Sequence, residues 1–201
     1  MASDTRARMI ETTARLLQHR GYYGTSLNDI LSESDAPRGS LYFHFPGGKD
    51  QLVIEATRAA IALATEELEA ALRETPTPGG GVRRYVEAAA DLMLQSDFTF
   101  GCPVAPVILD AAGQVKELER LCRAALDAWT EAIEQAIAAS GVTPRRAASL
   151  AVMAVSAIEG ALVLCRARRG VEPLRQVSRE LESLIDGAAP ARTATASRRR
   201  A

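Results

Sequence analysis

Aromatic side chains are scarce in this chain, with four Phe, four Tyr and one Trp among 201 residues. No stretch alternates polar and apolar residues as a half-buried strand would, and β-branched residues rarely cluster. Alanine is abundant instead, which suits closely packed helices, so the expected fold is all-α. Cysteine is also sparse: Cys102, Cys122 and Cys165 form no C-x-x-C pair. Unpaired thiols in a reducing cytoplasm are the expectation. A basic, then apolar leader is missing, because Asp4, Arg6, Arg8 and Glu11 interrupt the first residues. Charge of one sign is missing too. A formal net charge of −1 argues against a protein that coats nucleic acid indiscriminately, although one small positive face remains compatible with it. There is no glycine-rich phosphate loop and no Gly-x-Ser-x-Gly elbow. His19 and His44 share no metal-ligand spacing with each other or with the cysteines. No enzyme, metal or cofactor is therefore expected.

What is present centres on Thr25 to Leu52, TSLNDILSESDAPRGSLYFHFPGGKDQL. Thr25 reads as the N-cap of a helix whose Leu27, Ile30 and Leu31 share one face. Asp35-Ala36-Pro37 stops it, since the residue before proline avoids helical angles. A second helix then starts at Pro37, whose fixed φ suits a first turn. Within it Leu41 and Phe45 lie one turn apart and face inward. Arg38, Gly39, Ser40, Tyr42 and His44 are left outside, an odd set for a face that only meets water. Arginine can bond guanine O6 and N7, serine can donate to a base edge or phosphate, and glycine lets a partner approach the backbone. Tyr42, His44 and the following Lys49 suit phosphate oxygens. A helix-turn-helix with this face reads DNA.

These residues, Gly24-Thr25-Ser26-Leu27, Arg38 to Phe45 and Lys49-Asp50-Gln51-Leu52, resemble the N-terminal domain of the TetR family of one-component transcriptional repressors. Asp35 stands where that family usually has a turn glycine, and Pro37 where it often has a capping Ser or Thr; Asp tolerates left-handed angles better than most residues. The later run Gly101-Cys102-Pro103-Val104-Ala105 resembles the LmrA/YxaF-like subgroup. The resemblance implies that Thr25 and Ser26 also lie near phosphate. It further implies a three-helix DNA-binding domain over 1–48 and a helical effector-binding and dimerisation domain over 49–186; the Ala, Pro, Thr and Arg composition makes 187–201 a disordered tail.

Along the chain, Asp4 to Arg20 is expected as a first helix with Ile10, Thr13, Ala14 and Leu17 inward, stopped by Gly21. Lys49 opens a long helix to about Arg73. Thr75 to Gly81 reads as a linker, followed by a helix over Val82 to Gln95. Phe98, Phe100, Cys102 and Val104 sit in a turn-rich corner that suits a pocket entrance, or a helix-helix connection in which Phe98 and Phe100 simply plug the core. Val107 to Ala112 is a short helix interrupted by Gly113. Val115 to Ala139 carries a stripe that includes Cys122 and Trp129. From Ala147 to Leu164 the sole charge is Glu159. A membrane needs ~20 such residues, but alanine dominates and a central carboxylate is costly in lipid. Burial between the domain and a partner copy is the better account. The last helix follows Pro173, with Leu174, Val177, Leu181, Leu184 and Ile185 as its stripe. The helices over 144–166 and 173–185 would form a twofold dimer interface. Arg198-Arg199-Arg200 belongs to a solvated tail.

The function expected is a cytoplasmic, homodimeric repressor released from a palindromic operator by a small apolar or aromatic effector. The effector would lie among the helices from Lys49 to Ala139, with Phe98, Phe100, Cys102, Val104, Cys122 and Trp129 as candidate contacts. An alternative keeps the DNA binding and makes cysteine oxidation the trigger; Cys122 and Cys165 are each followed by Arg, which favours a reactive thiolate.

Overall fold

The structure, a computed structural model, describes residues 2–111 and 115–190. Among these it holds nine helices and no strand, in accord with the all-α expectation. They are α1 (Ala2–Arg20), α2 (Leu27–Glu33), α3 (Arg38–His44), α4 (Gly48–Glu74), α5 (Pro78–Gln95), α6 (Ala105–Ala111), α7 (Lys116–Ala139), α8 (Pro144–Arg168) and α9 (Glu172–Asp186). Gly113 and Arg198 to Arg200 lie outside the described residues.

Two apolar cores form. The smaller is built from Met9, Leu16, Ile30, Leu31, Leu41, Phe45 and Leu52, contributed by α1, α2, α3 and the first turn of α4. The larger runs through α4 to α9 and takes in Leu17 from α1. Helix α1 serves both, and this moves its inward register from the one expected. Met9, Thr13, Leu16 and Leu17 are buried, whereas Ile10 and Ala14 face a cavity. A helix with partners on two sides needs two stripes, and a single i, i+3, i+4 count finds only one.

The supposed linker is a helix start. Thr77 accepts the Gly80 N–H at 3.1 Å as N-cap, and Pro78 occupies the first turn, where its missing N–H is harmless. The glycines that follow allow close packing. A Cβ on Gly79 would lie 2.6 Å from Asp186 Oδ1 and 2.7 Å from the Glu182 carbonyl, and one on Gly81 would lie 2.9 Å from Leu72 Cα. Asp186 completes the joint by accepting from the Gly79 N–H at 2.8 Å and the Thr77 hydroxyl at 2.7 Å. The last turn of α9 thereby caps the start of α5.

Helix α8 buries Ala147, Leu150, Ala151, Ala154, Ile158, Ala161 and Cys165 in the large core. Its other side leaves Val152, Met153, Val163 and Leu164 exposed, so one chain covers only half of it. By length and composition α8 could cross a membrane, but its buried face belongs to the core. Of the expected tail, only 187–190 fall among the described residues. Ala188 and Ala189 pack on the large core, and the Pro190 ring lies 3.2 Å from where a Cβ on Gly141 would be.

Candidate functional sites: an exposed short helix and a cavity

Helix α2 begins with a capping box. Ser26 accepts the Asp29 N–H at 3.1 Å while an Asp29 carboxylate oxygen accepts the Ser26 N–H at 3.2 Å, satisfying two end donors reciprocally. The Ser26 bonds hold the Asp29 carboxyl below its ordinary range. Thr25 is thus not the cap. It is fully buried and donates its hydroxyl to the Gly21 carbonyl at 2.7 Å. Neither the cap role nor a phosphate contact suits its side chain, which fastens the end of α1. Ser26, one position on, is exposed.

The turn into α3 is closed by the Ala36 N–H on the Leu31 carbonyl at 3.0 Å. Asp35 takes φ 49°, the left-handed angle expected of it without a glycine. Pro37 is the N-cap residue, extended at ψ 143°, and α3 proper starts at Arg38. Leu41 and Phe45 anchor it inward, at 1% and 0% exposure. Arg38, Gly39 and Tyr42 are exposed, and Ser40 and His44 half-buried. Nothing lies within 4 Å of a Cβ position on Gly39. Arg38 donates to Asn28 Oδ1 at 3.3 Å, which steadies the guanidinium between the two helices. Phe43, passed over in the sequence, is 76% exposed, its ring edge-on to His44. Lys49 turns back instead of outward. Its ammonium donates to the Tyr22 carbonyl at 3.1 Å and lies 4.4 Å from the Tyr22 ring centroid. Burial pulls its pKa below the ordinary value. It braces α4 against the end of α1, and reaching a phosphate would break that contact.

The second feature is a cavity of about 570 Å³, a size that fits a drug-like molecule. Its wall comes from α4, α5, α7 and the 100–103 corner, but also from α1 and α8. The expected range, Lys49 to Ala139, therefore omitted two helices. Phe100, Cys102 and Trp129 line it, as expected; Phe98, Val104 and Cys122 do not. Phe98 sits at φ 63° in the corner with the Arg169 guanidinium 5.4 Å from its ring centroid. Val104 and Cys122 are wholly buried in packed core. The trace of a helical stripe cannot tell which of its members face a void and which face neighbours. Missed altogether were Tyr85, Glu67 and Glu159. For Glu159 the signal was available, since a lone carboxylate in an apolar helix has to face something polar or empty.

Trp129 donates its indole N–H to Thr65 Oγ1 at 2.7 Å, holding one wall to another. Arg166 of α8 donates to the carbonyls of Gln18, Thr99 and Phe100 at 3.0, 3.0 and 3.2 Å. One guanidinium thus joins the cavity corner to the last turn of α1. All three thiols are buried. Burial pushes Cys102 well above the ordinary thiol range, with the Glu159 charge adding to it, and pushes Cys122 to about 11 and Cys165 upward. A redox trigger needs the opposite shift, so the oxidation alternative loses its physical basis. Among the described residues no group of His, Cys, Asp and Glu could hold a metal ion.

Comparisons with known proteins agree with this geometry. Residues 9–56 match the family described as bacterial regulatory proteins, tetR family. Residues 78–180 match the transcriptional regulator LmrA/YxaF-like C-terminal domain. An uncharacterised HTH-type transcriptional regulator of Mycobacterium tuberculosis is 36% identical over 94% of this chain and 97% of its own length. The HTH-type transcriptional regulator LmrA of Bacillus subtilis is 29% identical over 90% of this chain and 97% of its own. A crystal structure of a TetR transcriptional regulator from Chloroflexus aurantiacus superposes with a TM-score of 0.77 at 24% identity, covering 92% of this chain and 96% of that one. A cysteine mutant of the TetR-family regulator CifR, complexed with 26 bp double-strand operator DNA, does so with a TM-score of 0.77 at 19% identity, covering 92% and 96%.

Proposed function

This chain belongs to the TetR family of DNA-binding transcriptional regulators, and from that premise we propose that it is a homodimeric repressor released from its operator by a small molecule. Regulators of this family are not enzymes. The observation that carries the reading is α3. It is anchored by Leu41 and Phe45 and leaves Arg38, Gly39 and Tyr42 exposed and Ser40 and His44 half-buried. Arg38, Gly39 and Ser40 approach base edges in the major groove. Ser26, Tyr42 and His44 hold phosphates, and Lys49 joins them only on leaving Tyr22. Residues 1–48 form the reading head and 49–186 the effector and dimer unit. The head works in the cytoplasm, where the operator is.

The exposed apolar face of α8, together with Leu184 of α9, pairs with its symmetry mate, since a surface of this kind is self-complementary about a twofold axis. Two heads then meet half-sites about one helical turn, ~34 Å, apart. The cavity takes the effector. Because its wall includes α1, a bound molecule selects among head orientations, limited by its differential affinity for them.

The test is a footprint of the purified protein on its own upstream DNA at near-physiological salt with competitor DNA. A protected, roughly palindromic site is expected, and binding that only fades as salt rises would count against a sequence-specific reader. On that site Arg38→Ala should relax the preference at one base pair at a cost of ~1–3 kcal/mol. Equal weakening on every sequence would make Arg38 a phosphate contact instead.

A further inference from the structure

The cavity's charges do not balance. Its charged lining residues are Arg6, Glu11, Glu67 and Glu159. Arg6 is already engaged, with its guanidinium bonded to Glu55 and 5.3 Å from the Phe45 ring centroid. Among the described residues none of the three carboxylates joins an ion pair. Glu11 and Glu67 lie toward the open side, and Glu159 is half-buried at the middle of α8. The Cys102 thiol lines the same cavity. That thiol receives the Val104 and Ala105 N–H groups at 3.4 Å each. Desolvation pushes the Glu159 carboxyl upward, and burial with neighbouring Glu66 does the same to Glu67. The common cause is burial, which disfavours the ionised form of each carboxyl. Around these groups the wall is apolar, with Tyr85, Phe100 and Trp129 contributing rings.

We propose that the effector is an apolar molecule bearing a positive charge, a lipophilic amine or quaternary cation, seated among Tyr85, Phe100 and Trp129 with its charge opposite Glu159 and Glu67. This rests on the reading of the cavity as the effector site. A cation supplies the missing countercharge in a poorly hydrated space, where a charge contact is stronger than in water. The aromatic faces attract it as well. An anion of the same shape meets two carboxylates, and the one basic side chain in the wall is already bonded elsewhere.

The chain carries its own reporter. Trp129 is the single tryptophan and lines the cavity, so its emission responds to an occupant. The full chain is titrated with tetraphenylphosphonium and with tetraphenylborate, near-isosteric ions of opposite charge. The phosphonium should bind at least about tenfold more tightly, a modest share of one charge contact at protein dielectric. Glu159→Gln and, at the open side, Glu67→Gln should each remove several-fold of that preference without weakening the borate. Circular dichroism keeps loss of fold distinct from loss of binding. If the folded protein responds to neither ion, the effector reading of the cavity fails. If the borate binds as well as the phosphonium, or both variants keep the preference, the cavity reading stands and the cation inference is overturned.

Discussion

The two cores of this molecule solve opposite problems. The small one, around Met9, Leu16 and Phe45, is closed by large side chains that leave almost no exposure. The large one is rich in alanine and encloses about 570 Å³ of open space. A reading surface has to present base-contacting groups at fixed spacing, which rewards tight packing. A responsive body needs room for an occupant and more than one favourable arrangement. The filled core sets geometry and the hollow one leaves it adjustable, with α1 shared between them.

The sharpest way to break this contrast is Phe45→Ala. Truncating a fully buried Phe costs ~3–5 kcal/mol, and this residue and Leu41 are the buried side chains that anchor α3. Operator binding should be lost, and hydrogen exchange should show α1–α3 amides opening while those of α7 and α8 stay protected. Equal loss of protection throughout would mean that the two cores unfold as one unit. Next in size is Gly79→Ala in the body. The added Cβ would sit 2.6 Å from Asp186 Oδ1 and 2.7 Å from a backbone carbonyl, so overpacking should cost ~1–3 kcal/mol in thermal unfolding. The same change in the head, Gly39→Ala, meets nothing within 4 Å. It should stabilise by roughly 0.5–1 kcal/mol through helix propensity, and in a gel-shift titration it should weaken operator binding. Stability and function would then move in opposite directions at one position.

These glycines also show where the sequence was legible. Pro46-Gly47-Gly48 and Pro78-Gly79-Gly80-Gly81 look alike, and both read as breaks. The first is a turn, with Gly48 at φ +69° opening α4. The second is helix, because Thr77 caps it and α9 and α4 press on it. That pressure is tertiary, and no local pattern encodes it. The reading helix was legible because Leu41 and Phe45 one turn apart leave a distinctive set outside. The cap was misplaced by one residue, since Thr25 and Ser26 both fit and only the Asp29 carboxylate three positions after Ser26 decides. Half of the six cavity guesses lay in packed core or corner. Which side of a buried stripe faces a void depends on how α1 and α8 close over it, and that is set by contacts far apart in the chain.

The smallest effect lies at the joint between head and body. Tyr22 donates its hydroxyl to Asp50 at 2.6 Å, while Lys49 lies over its ring and bonds its carbonyl. Burial first, then the Asp50 bond and charge, push its pKa from the ordinary 10 up to about 12. The folded state therefore holds this proton more tightly than the unfolded chain. The stabilisation is complete below pH 10 and is lost as pH rises through about 12. Tyr22 is only half-buried, so screening should keep the effect below roughly 1 kcal/mol. Tyr85 in the body is also pushed upward by burial, so the slope of one protein alone would mix the two. Urea unfolding of the natural chain and of Tyr22→Phe at about pH 9 and about pH 11 separates them, because Tyr85 is common to both. The advantage of the natural chain should shrink at the higher pH. An unchanged difference would mean that the folded state holds the Tyr22 proton no more tightly than the unfolded chain, and that neither burial nor the Asp50 bond acts on it.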